Sequence, residues 1–194
     1  MNKLLIRAQI ETTVIDSPLF DGNQISRPEV VLLFDRNSMY VLEYAVVQAH
    51  DINKAVVSAL QKGYETSRKR PDTSLNYSVD WVLMNGYHLV SDRIKQAAMR
   101  LGINLAYTRP RYNGRIEALV RNVSVAVRLH QPETGCDNSY PKNVETFKQE
   151  LGRAIAAHNE TPLKSQLRSP RELFFINSTQ PAHRTNLLAG AREP

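Results

Sequence analysis

Apolar and polar positions divide the chain into strands first and amphipathic helices afterwards. Leu4 to Ile15 is rich in β-branched and apolar residues, which predicts a strand, and Asp16-Ser17-Pro18 and Asp21-Gly22-Asn23 supply turn residues after it. Pro28 precedes a second apolar run, Val30-Val31-Leu32-Leu33-Phe34, which stops at the tight-turn tetrad Asp35-Arg36-Asn37-Ser38. Met39 to Val47 reads as the returning strand of a hairpin. Three strands therefore open the chain, two of them apolar enough along their length to be buried.

The period then lengthens. Asp51 is a good N-cap, and Ile52, Val56, Leu60 and Tyr64 follow at four-residue steps along one helix face, until Arg68-Lys69-Arg70-Pro71-Asp72 ends the helix in a basic loop. Val79 to Met84 predicts a short strand cut by Asn85-Gly86. Ser91 caps a helix with Ile94, Ala97, Ala98 and Leu101 on one face, closed by Gly102. Ile103 to Tyr107 is another strand. Pro110 and Asn113-Gly114 introduce a helix over Arg115 to Leu129, with Ile116, Leu119, Val120, Val123 and Val127 inward. Pro132 to Pro141 is loop-like. Val144 to His158 forms the last helix, with Phe147, Leu151, Ala154 and Ile155 inward.

The order β-β-β-α-β-α-β-α-α predicts an α/β fold: a mixed five-stranded sheet, built as a three-strand antiparallel meander and then alternating α and β, with helices on both faces. That order belongs to the ribonuclease H-like architecture. One core domain is expected over 1–175. Beyond Phe175 the chain turns polar, with Pro181, Gly190 and Pro194, so 176–194 is expected to be a flexible C-terminal tail.

Composition narrows the class. At 194 residues, 42% hydrophobic and 23% charged, the chain suits one globular domain and excludes a disordered or collagen-like polymer. A single cysteine, Cys136, excludes an intrachain disulfide. No apolar run is long enough to span a bilayer, and Arg7 breaks the initial apolar stretch too early for a signal peptide, so the expectation is a soluble cytoplasmic protein with no membrane partner. The net charge of +6 says little by itself, but its distribution says more. From Asp92 to Arg128 stand Arg93, Lys95, Arg100, Arg109, Arg111, Arg115, Arg121 and Arg128, opposed only by Asp92 and Glu117. Arginine dominates that set, and its planar donor fork suits phosphate oxygens.

Four segments carry a family resemblance. Gln9-Ile10-Glu11-Thr12-Thr13 lies on the first strand, and Asp35-Arg36-Asn37-Ser38 between the second and third. Thr108 to Glu117 contains Pro110, Gly114 and Glu117 in a Pro-x-x-x-Gly-x-x-Glu pattern. His158-Asn159-Glu160-Thr161-Pro162 and Ser169-Pro170-Arg171-Glu172-Leu173-Phe174 follow near the end. Together, over about residues 8 to 175, they resemble the DDE integrase and transposase core, in the branch that includes bacterial transposases of the phage Mu type. The resemblance implies a protein of DNA integration or transposition, with three carboxylates holding two Mg²⁺ or Mn²⁺ ions, and DNA as partner. It also implies a transposase partner subunit or a homo-oligomer.

Carried over residue by residue, the catalytic and metal-binding positions are Glu11, Met84 and Glu117. Glu117 matches in type and setting. Glu11 keeps a carboxylate, one methylene longer than the family's Asp. Met84 stands where the family has an Asp before Asn-Gly, and a thioether has almost no affinity for Mg²⁺, so metal binding by Glu11 and Glu117 is expected to be weak or absent and catalysis impaired. Asp80, Met84 and the intervening Val82 are expected on one strand face, but Asp80 lies about 13 Å from position 84 and cannot substitute for it. Asn85 offers a neutral oxygen on the other face.

Each residue has a plainer reading too. Met84 fits a core methionine, Glu11 a polar strand end, and Glu117 a partner for Arg121 four residues on. His88 and His158 read as surface or packing residues, and Cys136 as a free thiol. Glu117, Arg121, Ser124 and Arg128 form one polar stripe opposite the helix's apolar face, and Arg109, Arg111, Arg115, Arg121 and Arg128 are expected to contact DNA phosphates. Two alternatives stay open: an active strand-transferase or nuclease using Glu11, Glu117 and a third ligand not yet identified, and a non-catalytic interaction subunit of a transposition complex.

Overall fold

Successive residues of one strand point into different cores, and this alternation sets the layers. The structure is a computed structural model that describes residues 4–20, 25–48, 50–68, 77–85, 91–108, 114–129, 142–163 and 167–179. In it, β4 (Glu29–Asp35) sends Val31 and Leu33 to one side and Val30, Leu32 and Phe34 to the other, all fully buried. A strand apolar at every position needs cover on both faces. On the Leu33 side it comes from α1 (Ile52–Arg68), through Val56 and Leu60, and α2 (Asp92–Leu101), through Ile94. On the Leu32 side it comes from α3 (Gly114–Leu129), through Leu119, Val123 and Val127, and α4 (Val144–Glu160), through Phe147 and Leu151.

The five-stranded sheet adds β1 (Leu4–Val14), β5 (Val41–Val46), β6 (Tyr77–Asn85) and β7 (Asn104–Thr108), in the order β5-β4-β1-β6-β7. β1, β4 and β5 are antiparallel neighbours, while β6 runs parallel to β1 and β7 parallel to β6. The fold is thus mixed α/β with a mixed five-stranded sheet and helices on both faces. Among the described residues no helix is long and apolar enough to cross a membrane.

The helix ends follow the residues that announce them. Asp51 Oδ1 accepts the Lys54 N–H at 2.9 Å, and this bond holds the Asp51 carboxyl below its ordinary range. Ser91 Oγ accepts from the Ile94 N–H at 3.3 Å, and Gly102 closes α2 at φ 69°, a left-handed conformation natural to glycine.

Three findings depart from the pattern. First, β2 (Leu19–Phe20) and β3 (Ile25–Ser26) form an antiparallel pair, and β2 also pairs in parallel with β8 (Lys142–Asn143) to make a second, three-stranded sheet. Two-residue strands are too short to show a period. A largely buried ion pair between Lys142 and Glu150 anchors β8 to α4.

Second, β6 carries a register shift: Leu5 pairs with Ser78 but Arg7 with Trp81, which places one extra residue in β6. Val79, Val82 and Met84 therefore share the α1 side. The expectation that 80, 82 and 84 lie on one face fails, because the extra residue resets the alternation between 79 and 82.

Third, α5 (Pro170–Thr179) continues past the boundary drawn at 175. Its start is a capping box: Ser169 Oγ accepts the Glu172 N–H at 3.2 Å, and Glu172 Oε2 accepts the Ser169 N–H at 2.8 Å. Phe174 then stacks on Tyr40 with ring centroids 4.8 Å apart. Residues 180–194, the basic loop after Arg68 and the loop 132–141 lie outside the described residues.

Candidate nucleic-acid interface

The α3 side of the sheet gathers three pieces: the middle of β1, the β4–β5 turn and the first turns of α3. On β1, Gln9 is buried and its Nε2 donates to Glu11 Oε2 at 3.3 Å, so both side chains lie on the same face. Gln9 helps line a cleft of about 250 Å³ together with Phe34, Arg36, Asn37, Met39 and Arg115, which places this face under α3.

The β4–β5 turn is held rigidly. Buried Asp35 Oδ2 accepts the Ser38 N–H at 2.8 Å and the Ser38 hydroxyl at 2.7 Å. Met39 N–H donates to the Asp35 carbonyl at 2.8 Å, and Met39 takes the left-handed φ of 64°. The two ends of the Asp-x-x-Ser tetrad thus make the turn, while Arg36 and Asn37 at its tip remain exposed. Arg115 donates to the Asn37 carbonyl at 2.8 Å, tying α3 to the turn. Arg36 and Arg115 line the same cleft as Gln9 of β1.

On α3, Ile116, Leu119, Val123 and Val127 pack on the sheet. With each residue turned about 100° from the last, Glu117 and Ser124 flank that face, while Arg121 lies nearly opposite it. Glu117 and Arg121 are exposed; Ser124 is half-buried and donates to the Val120 carbonyl at 2.9 Å. Glu117, in the first turn, suits the positive end of the helix dipole.

The expected site residues divide as follows. Glu11, Glu117, Arg115 and Arg121 all lie on the α3 side. Met84 does not join them: it pairs with Ile10, one residue before Glu11, and is 0% exposed in the core beneath α1 and α2. Arg109, Arg111, His88 and Cys136 lie outside the described residues, as do the side chains of Arg128 and Asn85. His158 is a packing residue, buried with its Nε2 3.1 Å from the Met39 carbonyl, and burial lowers its pKa. Sequence reasoning passed over Arg36. Its signal was present in the tetrad, since a turn fixed at both ends presents its two middle residues.

A pair of divalent cations needs a cluster of hard oxygen donors. Among the described residues no three His, Cys, Asp or Glu side chains come together as such a cluster, and the thioether of Met84 is enclosed on the opposite face. The described residues do not fit the metal pair that the resemblance implies. What they do bring together is Arg36 and Arg115 on one cleft.

Neither sequence-family profiles nor curated proteins give a match. Solved structures do. One chain of a cryo-EM structure of the simian T-cell lymphotropic virus intasome in complex with PP2A regulatory subunit B56 gamma matches with a TM-score of 0.60 at 14% identity. The alignment covers 94% of this chain and 57% of that one, so this chain spans a little over half of its neighbour's length. At that identity the likeness is one of fold.

Proposed function

We propose that this chain is an integrase- or transposase-core-like protein of DNA integration or transposition, with a ribonuclease H-like sheet, that binds DNA through the arginines on and around α3 and is catalytically impaired. The reading is carried by one observation: Glu11, the Arg36–Arg115 cleft and Arg121 all lie on the α3 side of the sheet, while position 84, where an acid is required, is a buried methionine on the other side. The strand order β5-β4-β1-β6-β7 and the fold shared with a chain of a viral intasome structure support it.

In this reading Arg36, Arg115 and Arg121 neutralise backbone phosphates without reading bases. Arg115 is the positioned member, because its bond to the Asn37 carbonyl fixes one end of the fork. A transposase subunit, or a second copy of this chain, belongs to the same reading as partner. The intasome of the comparison is itself in complex with a second protein.

The test is fluorescence anisotropy with a duplex of about 30 base pairs, titrated between roughly 50 and 200 mM salt. Affinity is expected to fall linearly on a log–log plot. Arg121→Ala and Arg36→Ala should each weaken binding regardless of sequence and reduce the salt slope by about one. Absence of binding at the lowest salt, or slopes unchanged in both variants, overturns the DNA reading.

A further inference from the structure

α3 has a third face, bordered by Arg115 and Arg121, that does not pack on the sheet. Ala118, Asn122, Val125 and Ala126 line it, and opposite them α4 presents Ala154 and Ala157. Small residues on both helices leave an open groove of about 580 Å³, whose lining also includes Thr161, Pro162 and Leu163. Val125 is 46% exposed within it, a β-branched side chain on a helix surface with nothing described over it.

We propose that this groove docks an acidic amphipathic helix from a partner protein. Three features of the groove point to that occupant. The groove follows α3 from Arg115 to Ala126, about 17 Å, which is the length of roughly three helical turns. Its floor is aliphatic and small, a shape that takes apolar side chains spaced at i, i+3 or i+4 and i+7. Its charged lining consists of Arg115 and Arg121, with no Asp or Glu, so the complementary segment carries carboxylates beside its apolar stripe. An aliphatic floor gives a phosphodiester backbone nothing to bond, which disfavours nucleic acid there. The floor of the groove lies on the face of α3 turned away from Glu117, while Arg115 and Arg121 at its border are shared with the DNA reading, so a floor residue, Val125, separates the two.

The test uses the whole 194-residue chain and a phage-displayed library of random peptides about 16 residues long. Enriched peptides should show apolar residues at helical spacing and an excess of Asp and Glu. Binding of the best peptide, followed by anisotropy, should weaken at least about tenfold in Val125→Glu and in Arg121→Glu, and not in Lys62→Glu on the far side of the sheet. Circular dichroism establishes that the Val125→Glu chain is folded, and retained DNA binding by that variant separates this result from a failure of the DNA reading.

Four outcomes overturn the proposal. These are no enrichment, peptides without acidic bias, undiminished peptide binding in Val125→Glu, and a change of oligomeric state in Val125→Glu, which would place a second copy of the chain in the groove. Loss of DNA affinity in Val125→Glu with peptide binding intact would assign the groove to nucleic acid instead.

Discussion

Asn159 of α4 closes both backbone hydrogen bonds of Val41 at the start of β5. Its Oδ1 accepts the Val41 N–H at 2.9 Å, and its Nδ2 donates to the Val41 carbonyl at 3.0 Å. β5 is an edge strand, and here a side chain 118 positions away acts as one more residue of a sheet neighbour. The adjacent His158 holds the Met39 carbonyl in the same way, so the pair clamps the turn that presents Arg36.

Asn159→Ala leaves two buried backbone groups unsatisfied. A loss of about 2 to 4 kcal/mol in unfolding free energy is expected, measured by urea denaturation. Asn159→Asp should give no rescue, because it sets a carboxylate oxygen against the Val41 carbonyl. A variant as stable as the natural chain would show that water replaces the amide.

The pH dependence follows from His158. Its folded pKa lies below the ordinary 6.5 because burial disfavours the imidazolium, although its bond to the Met39 carbonyl pulls weakly the other way. The unfolded chain therefore binds the proton more readily. The contribution to stability is complete above about pH 6.5 and is lost as the pH falls through the folded value. Urea midpoints should decline below pH 6.5 in the natural chain and stay flatter over that window in His158→Gln.

Met84→Asp separates sequence alignment from structure. Alignment alone expects the variant to restore a metal ligand. The pairing of Met84 with Ile10 instead expects a carboxylate sealed in the α1–α2 core, at a cost on the order of 4 kcal/mol or more. Met84→Leu should cost less than about 1.5 kcal/mol. Denaturation of both variants, with Mn²⁺ calorimetry on the Asp form, decides the matter. A stable Met84→Asp chain that gains Mn²⁺ binding would refute this placement.

Ser169→Ala removes half of the capping box that starts α5. A loss of about 1 kcal/mol is expected, together with faster proteolysis near Phe174, whose stacking on Tyr40 depends on that helix. Glu172→Ala should act in the same direction, and the double variant should cost less than the sum.

The sheet was legible because β4 carries five consecutive apolar residues and its neighbours are rich in apolar and β-branched ones, and the caps at Asp51, Ser91 and Gly102 were legible because they satisfy local backbone groups. The final signature acquires physical meaning only in three dimensions. Ser169 and Glu172 cap one another, while Asn159 reaches β5. The exposure of Arg36 was legible in the tetrad, but its placement was not, since nothing local says that the tip of this turn will meet a helix through a bond from Arg115 to Asn37, 78 positions apart.

The sequence by itself determined the order of the five main-sheet strands and the first four helices, both helical layers and the absence of an acid at position 84, since these depend on side-chain type and on periods of two or four residues. Only the tertiary structure decided which face position 84 occupies. One extra residue in β6 and the pairing of Ile10 with Met84 set that face, and strand parity carries no signal in composition. It also decided that α3 has a third, open face, because a groove between two helices exists only once both have packed on the same sheet.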